Sequence, residues 1–254
     1  MSLPSTITRT HHHPPNERRR VLLVGDSITQ QSFSMAHGGW GAGLADWYQR
    51  TADVSNRGFS GYNSRWIRQS IETLFPSSAA FNSDVILVTL LLGANDAAFP
   101  SPQHVPLAEY RSNISYIIAY LRSVFPLAQC ILITPPQVNN DLWPDRSIPQ
   151  VFEYAKVIRE LSSTLSAPLL DLWKDDEFTV EIVDLRDGLH LGLEGNRKVC
   201  EGLQALIRTN YSHLVPEETS SGVPNLSFQL PQHRELGILS CEADSEKVLN
   251  NWGW

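Results

Sequence analysis

A serine, a histidine and an aspartate of this sequence stand where apolar segments give way to polar ones. Ser27 follows the run VLLVGD (21–26), and Asp187 and His190 lie three residues apart in DLRDGLHLGLEGN (184–196). Serine is a weak nucleophile at neutral pH and needs a base to take its proton. Histidine titrates near neutral pH, and an aspartate can orient its second ring nitrogen. The three residues together predict acyl transfer.

Acyl transfer also needs hydrogen-bond donors for the negative oxygen that develops on the substrate. We predict three of them: the backbone N–H of Ser27, the N–H of Gly58 in NRGFSGYN (56–63), and the side-chain amide of Asn95 in LLGANDA (91–97). Each of these residues also suits a turn or a helix start. Their joint occurrence with a histidine and an aspartate favours the catalytic interpretation.

Three further aspartates need separate interpretations. Asp184 rivals Asp187 by composition, but the D-x-x-H spacing favours Asp187 as the partner of the histidine. Asp26 and Asp96 are expected to be structural, accepting hydrogen bonds from nearby backbone amides.

Strands alternate with helices over most of the chain, which predicts a parallel sheet covered on both faces. Polar residues that follow such strands meet at the carboxyl edge of the sheet, where ligands bind. Ser27, Gly58 and Asn95 each follow a predicted strand, so they should converge with the Asp187–His190 segment. The predicted strands are 20–24, 53–57, 84–93, 130–136 and 168–172, and the predicted helices are 38–52, 64–75, 105–126, 148–166 and 192–211.

The segments VGDSIT, NRGFSGYN, LLGANDA and DGLHL, in this order, resemble the SGNH (GDSL-type) hydrolase family. The resemblance implies a flavodoxin-like three-layer α/β/α sandwich with a five-stranded parallel sheet. It also implies a serine carboxylester hydrolase that needs no metal or organic cofactor. Ser27 would be the nucleophile that carries the acyl group, His190 the base and Asp187 the orienting acid. Ser27, Gly58 and Asn95 would form the oxyanion hole.

Longer segments are similar to the isoamyl acetate-hydrolysing esterase branch of that family: GDSITQ, GGWGAGLADWYQR, RGFSGYNSRW, GANDA and VPLAEY. This similarity implies short acyl esters of aliphatic alcohols as substrates. A carbohydrate O-acetyl esterase, a thioesterase and a lysophospholipase would use the same triad and stay open as alternatives. Apolar residues expected at the rim of the site suit an alkyl group: Ile28, Phe33, Phe59, Ala97, Ala98, Phe99, Leu189 and Leu191.

Composition limits the other functional classes. A formal net charge of -7 disfavours binding to nucleic acid, whose phosphates it repels. The longest apolar stretch, 85–93, is too short to span a bilayer. The three cysteines are scattered, and the N-terminal segment lacks an apolar signal core, which together predict a cytoplasmic protein without membrane insertion.

The chain is predicted to consist of one catalytic domain, 20–214, with a disordered N-terminal tail, 1–19, and a C-terminal extension, 215–254. The extension is rich in proline and serine but also contains several leucines. It is too apolar for a freely solvated linker. We therefore expect an extended or partly disordered segment that docks on its own domain or on a second subunit, in which case the protein is a homodimer.

Overall fold

The computed structural model describes residues 18–77, 84–174 and 176–216. Its centre is a five-stranded sheet made of β1 (Arg20–Gly25), β2 (Asp53–Gly58), β3 (Val85–Leu91), β4 (Gln129–Ile133) and β5 (Leu169–Leu170). All neighbouring strands are parallel, and their order is β2-β1-β3-β4-β5. The predicted parallel sheet of five strands is confirmed, and each strand lies where the sequence placed it.

The central strand β3 explains why the sheet is covered on both faces. All seven of its residues are buried, and six of them are apolar, which is typical of a parallel strand with helices above and below. The edge strand β5 is shorter than the predicted 168–172. The side chain of Asp171 accepts the backbone N–H of Trp173 at 3.2 Å and turns the chain away from the sheet.

Helices flank the sheet in two groups. The helices are α1 (Ser27–Gln30), α2 (Trp40–Trp47), α3 (Ser64–Leu74), α4 (Leu107–Val124), α5 (Ile148–Leu165) and α6 (Leu193–Asn210). Helix α2 packs with α6, whereas α3, α4 and α5 pack in succession. In α4 the residues Tyr110, Ile114, Ile117 and Leu121 recur every three or four positions and are all buried, so the predicted amphipathic helix is confirmed.

Helix α2 is shorter than the predicted 38–52. Gly38 has a left-handed conformation with φ of 55°, so the helix begins only after it. At the other end, the Thr51 N–H donates to the Tyr48 carbonyl at 2.8 Å, a tight turn that ends the helix and leads into β2.

The strand order reverses between β1 and β3, because the chain leaves β1 toward β2 on one side and continues to β3 on the other. In flavodoxin-like sheets this switch point opens a crevice at the carboxyl ends of the two strands, where ligands bind. Ser27 follows β1, and Asn95 follows β3. The topology therefore places both residues at the crevice.

The predicted N-terminal tail, 1–19, and the predicted C-terminal extension, 215–254, lie largely outside the described residues. At the margins, an Arg18 guanidinium nitrogen lies 3.1 Å from an Asp53 carboxylate oxygen, and Val215 is buried. Within the part of the chain that is described, no helix combines the length and the apolar character that crossing a membrane requires.

Candidate active site

Ser27 stands on the turn between β1 and α1. Asp26 caps this short helix, because its Oδ1 accepts the backbone N–H of Ile28 at 2.9 Å. Gly25, the last residue of β1, has no room for a side chain: a Cβ there would lie 2.5 Å from the carbonyl oxygen of Leu91. The close approach of β1 and β3 therefore fixes the turn, and it leaves Ser27 at the carboxyl edge of the sheet.

Ser27, His190 and Asp187 form a continuous chain of hydrogen bonds. The Ser27 Oγ lies 2.9 Å from His190 Nε2, although 163 positions separate the two residues in the sequence. On the other side of the ring, His190 Nδ1 lies 2.8 Å from Asp187 Oδ2. One imidazole nitrogen thus faces a hydroxyl and the other a carboxylate, the arrangement in which histidine can accept a serine proton.

The loop before α6, residues 185–192, holds Asp187 in place. Its Oδ1 accepts the backbone N–H groups of Leu189 at 3.1 Å and of His190 at 2.8 Å. Partial burial by itself would raise the pKa of Asp187, but the hydrogen bonds from His190 and Leu189 outweigh it and lower that pKa. Arg186 Nε also lies 3.6 Å from Asp187 Oδ2. The carboxylate therefore stays ionised beside the imidazole at neutral pH.

The loop between β4 and α5 covers this histidine, and the sequence did not point to it. Trp143 Nε1 donates to the Asp187 carbonyl at 3.0 Å, and its ring stands edge-on to the His190 imidazole with centroids 6.3 Å apart. The Asn139 N–H donates to the Gly188 carbonyl at 2.7 Å. Trp143 thus limits the movement of His190 and of the backbone that carries Asp187.

The three predicted oxyanion donors are not equally available. The Ser27 N–H lies in the first turn of α1, where no intrahelical acceptor exists. Asn95 Nδ2 donates one hydrogen to the Tyr62 carbonyl at 2.8 Å, which leaves its second hydrogen for a ligand. The Gly58 N–H already donates to the side-chain Oδ1 of Asn56 at 2.9 Å. An oxyanion would have to share or replace that bond.

Arg146 is a site residue that the sequence analysis missed. Its side chain is 2% exposed, and it packs under Asn95. Nε donates to the Ala94 carbonyl at 2.9 Å, and Nη2 donates to Asn95 Oδ1 and to Gln103 Oε1, both at 3.1 Å. Nη1 donates to both carboxylate oxygens of Asp145, at 2.7 and 2.9 Å. Every nitrogen of the guanidinium is thereby engaged.

Asp26 and Asp96 are both fully buried next to Ser27 and Asn95. Burial is the main cause that raises the pKa of each carboxyl to about 7. Asp26 bonds a local amide, as predicted. Asp96 differs from the prediction, because it accepts the N–H and the hydroxyl of Ser64, at 3.0 and 2.5 Å, from the distant start of α3. It ties the β3 end to that helix.

Asp184, the rival of Asp187, has other partners. Its Oδ2 accepts the Glu181 N–H and the Lys198 ammonium, each at 2.8 Å. The same side chain is 4% exposed and anchors the start of α6 rather than His190.

Most apolar residues expected at the rim are instead part of the core. Phe99 differs, with 60% of its surface exposed, and Leu142, which the sequence did not single out, is 61% exposed. The buried ones are Ile28, Ala97, Ala98, Leu189 and Leu191, whereas Phe33 and Phe59 are partly buried.

Comparison with known proteins identifies the family of the chain. The family model described as "GDSL-like Lipase/Acylhydrolase family" matches residues 23–198, which include all of the site residues above. The chain belongs to the GDSL-like lipase/acylhydrolase family. The resemblance stated from the sequence segments is thereby confirmed.

Individual relatives of this GDSL hydrolase extend over nearly the whole chain. The isoamyl acetate-hydrolyzing esterase 1 homolog of Bos taurus is 40% identical over 85% of this chain and 88% of its own length. A GDSL esterase/lipase of Arabidopsis thaliana is 35% identical over 84% of this chain and 92% of its own. These relatives identify the chain as a carboxylic ester hydrolase.

Solved structures show the same fold. A lipase/acylhydrolase from Enterococcus faecalis superposes with a TM-score of 0.61 at 23% identity, covering 79% of this chain and all of that one. An acetylxylan esterase from Geobacillus stearothermophilus has a TM-score of 0.57 at 22% identity, covering 75% and 94%. The predicted α/β sandwich of the GDSL/SGNH type is confirmed.

Proposed function

We propose that the protein is a serine carboxylester hydrolase that forms an acyl-enzyme on Ser27. The observation that carries the proposal is the chain of short contacts from Ser27 Oγ through the His190 ring to Asp187, at 2.9 and 2.8 Å. The N–H of Ser27 and the Asn95 amide lie on the turns beside it, where they can donate to an anionic oxygen.

In the proposed first half-reaction, His190 Nε2 takes the proton of Ser27 as its Oγ attacks the ester carbonyl carbon. The carbonyl π bond opens, and the negative charge on its oxygen is stabilised by the Ser27 N–H, the Asn95 Nδ2 and the Gly58 N–H. The C–O bond to the alcohol then breaks, and the imidazolium gives its proton to the departing alcohol oxygen. Asp187 stabilises the imidazolium throughout.

The second half-reaction repeats these steps with water. His190 removes a proton from a water molecule, whose oxygen attacks the acyl carbon on Ser27. The tetrahedral intermediate collapses, Ser27 recovers its proton from His190, and the carboxylic acid leaves. The chemistry requires no metal or organic cofactor.

The proposed substrates are short acyl esters of aliphatic alcohols. The similarity to the isoamyl acetate-hydrolyzing esterase 1 homolog of Bos taurus, at 40% identity over 85% of the chain, supports this choice. The exposed Leu142 supports it as well, because its side chain lies against Gly188, next to Asp187, where an alkyl group could contact it. We place this activity in the cytoplasm, a location supported by the free thiols of Cys130 and Cys200.

The nucleophile is tested by Ser27→Ala with Ser34→Ala as its matched control. We expect Ser27→Ala to lower kcat on a p-nitrophenyl ester by at least about 10⁴-fold, as loss of a triad nucleophile does. A fluorophosphonate should label the wild type once, on Ser27, and Ser34→Ala should behave like the wild type. Labelling elsewhere, or substantial turnover by Ser27→Ala, would remove Ser27 from the proposal.

The substrate class is tested by kcat/KM over esters of increasing acyl length, together with acetylated xylose. We expect the value to fall beyond a few acyl carbons and to be higher for isoamyl acetate than for the acetylated sugar. Preference for the sugar would indicate a carbohydrate O-acetyl esterase. Preference for a long acyl chain, or for a thioester, would indicate a lysophospholipase or a thioesterase.

A further inference from the structure

We infer that Arg146 is a positioning residue for transition-state stabilisation: it fixes and polarises the Asn95 amide that donates to the oxyanion. The inference rests on the proposed function, because it concerns the same acyl transfer. It starts from the contact of the buried guanidinium with the amide oxygen, Nη2 to Oδ1 at 3.1 Å.

Arg146 determines which end of the Asn95 amide faces the substrate. A guanidinium has only donors, so the Asn95 atom that contacts it must be the oxygen. The Tyr62 carbonyl has only acceptors, so the atom that lies 2.8 Å from it must be the nitrogen. These two contacts exclude the flipped amide. They leave the second N–H of Asn95 as the group that can point into the crevice.

Arg146 also fixes the backbone that carries this amide. Its Nε donates to the carbonyl of Ala94, the residue directly before Asn95, at 2.9 Å. A planar guanidinium thus holds two consecutive residues at the β3 end through a rigid fork, which a lysine cannot reproduce. Rigid placement matters because a donor stabilises an oxyanion only if it needs no reorganisation during the reaction.

The charge of Arg146 strengthens the donor that Asn95 offers. A charged donor on Oδ1 draws electron density from the amide and makes its N–H groups more positive. The Arg146 side chain is 2% exposed, so solvent screens its charge weakly. Asp145 offsets part of this charge, but it contacts Nη1, whereas Asn95 is bound by Nη2. The stabilisation that the polarised Asn95 amide gives should grow as negative charge develops on the substrate oxygen.

The test is a double-mutant cycle between Arg146→Met and Asn95→Ala. Loss of one oxyanion donor lowers kcat by about 10²–10³-fold, and we expect Arg146→Met to lower it by about 10–10²-fold with little change in KM. In the Asn95→Ala background, Arg146→Met should cause almost no further loss. Arg159→Met is the matched control, because that arginine also binds an aspartate, Asp171, at 2.6 Å but belongs to α5. It should lower the melting temperature without changing kcat.

A second measurement uses an alkylboronic acid, to which the serine oxygen adds to form a tetrahedral anion like the transition state. Its Ki should rise across the wild type, Arg146→Lys and Arg146→Met in proportion to the fall in kcat/KM. Arg146→Lys retains the charge, so it keeps the cycle measurable if the methionine variant does not fold.

If the falls in kcat of the two single mutants multiply in the double mutant, Arg146 acts apart from Asn95, and that result would overturn the inference. An unchanged kcat in a folded Arg146→Lys or Arg146→Met variant would overturn it too. Failure of the proposed function has a different signature, namely turnover by Ser27→Ala and no binding of the boronic acid to the wild type. The two failures are therefore distinguishable.

Discussion

Replacing Asp187 by asparagine should stop proton transfer while leaving the loop intact. The Oδ1 of the new amide can still accept the N–H groups of Leu189 and His190, which the aspartate accepts at 3.1 and 2.8 Å. The other end of the amide, however, now donates toward His190 Nδ1. The imidazole is then driven to carry its proton on Nε2, where it cannot accept the proton of Ser27.

The size of the effect follows from the exposure of the carboxylate. The same substitution in a buried triad lowers kcat by about 10⁴-fold. The Asp187 side chain is 41% exposed, so water can reach it and the amide can rotate away from the ring. We therefore expect a smaller loss in kcat, about 10²–10³-fold or roughly 3–4 kcal/mol in activation free energy. KM and the melting temperature should change little.

Asp184→Asn is the matched control, because it changes the rival aspartate three positions earlier. Asp184 binds the Lys198 ammonium at 2.8 Å, so its substitution should lower the melting temperature and leave kcat within about twofold. Initial rates on p-nitrophenyl acetate and thermal melts by circular dichroism measure both quantities. Near-normal turnover by Asp187→Asn, or an equal loss of kcat in Asp184→Asn, would refute this account of the histidine.

Two further predictions concern stability. Gly58→Ala should prevent stable folding, because a Cβ would overlap the backbone nitrogen of Gln30. A Cβ at Gly61 would make only an ordinary contact with Gln103 Nε2 at 3.6 Å, so Gly61→Ala, strained by its φ of 80°, should cost only about 1 kcal/mol in a urea titration. Burial raises the pKa of Asp26 and Asp96 from 3.8 to about 7, so the folded state holds more protons than the unfolded state between those values. The stability that each provides is complete below pH 4 and is lost as pH rises through 7. Asp26→Asn should reduce the slope of the unfolding free energy against pH between these values by about 1.4 kcal/mol per pH unit. A wild-type slope unchanged in Asp26→Asn would show that the pKa of Asp26 is the same in the folded and unfolded states.

Local patterns in the sequence were enough to predict the sheet and the residues at its edge. An uninterrupted apolar run such as β3 is buried on both faces, and a period of three to four residues marks α4. Because each polar segment starts where a strand ends, parallel pairing alone brings Ser27 and Asn95 to one edge. The positions of Ser27 and Asn95 therefore follow from the parallel pairing of the strands and depend on few other tertiary contacts.

The neighbours of these residues could not be predicted in the same way. Arg146 lies in the polar loop QVNNDLWPDRS (137–147). The only local feature beside it is Ser147, whose side chain caps α5. Arg146 is buried because this loop folds back over the carboxyl end of β3. Such a contact between distant segments leaves no local pattern in the sequence. The Asn56 side chain that accepts the Gly58 N–H also donates to the Thr29 carbonyl of α1 at 2.9 Å, a contact between distant segments that no local pattern predicts.

The separation of 163 positions between Ser27 and His190 has a consequence for how the protein matures. Asn196 of α6 accepts the Trp40 N–H at 3.2 Å and donates to the His37 carbonyl at 3.1 Å, so the last helix is bonded to the segment after the nucleophile. A chain emerging from the ribosome can pair β1, β2 and β3 long before residue 190 has been synthesised. Hydrolysis should therefore be the final property acquired during synthesis, and a nascent chain stalled before residue 190 should show none.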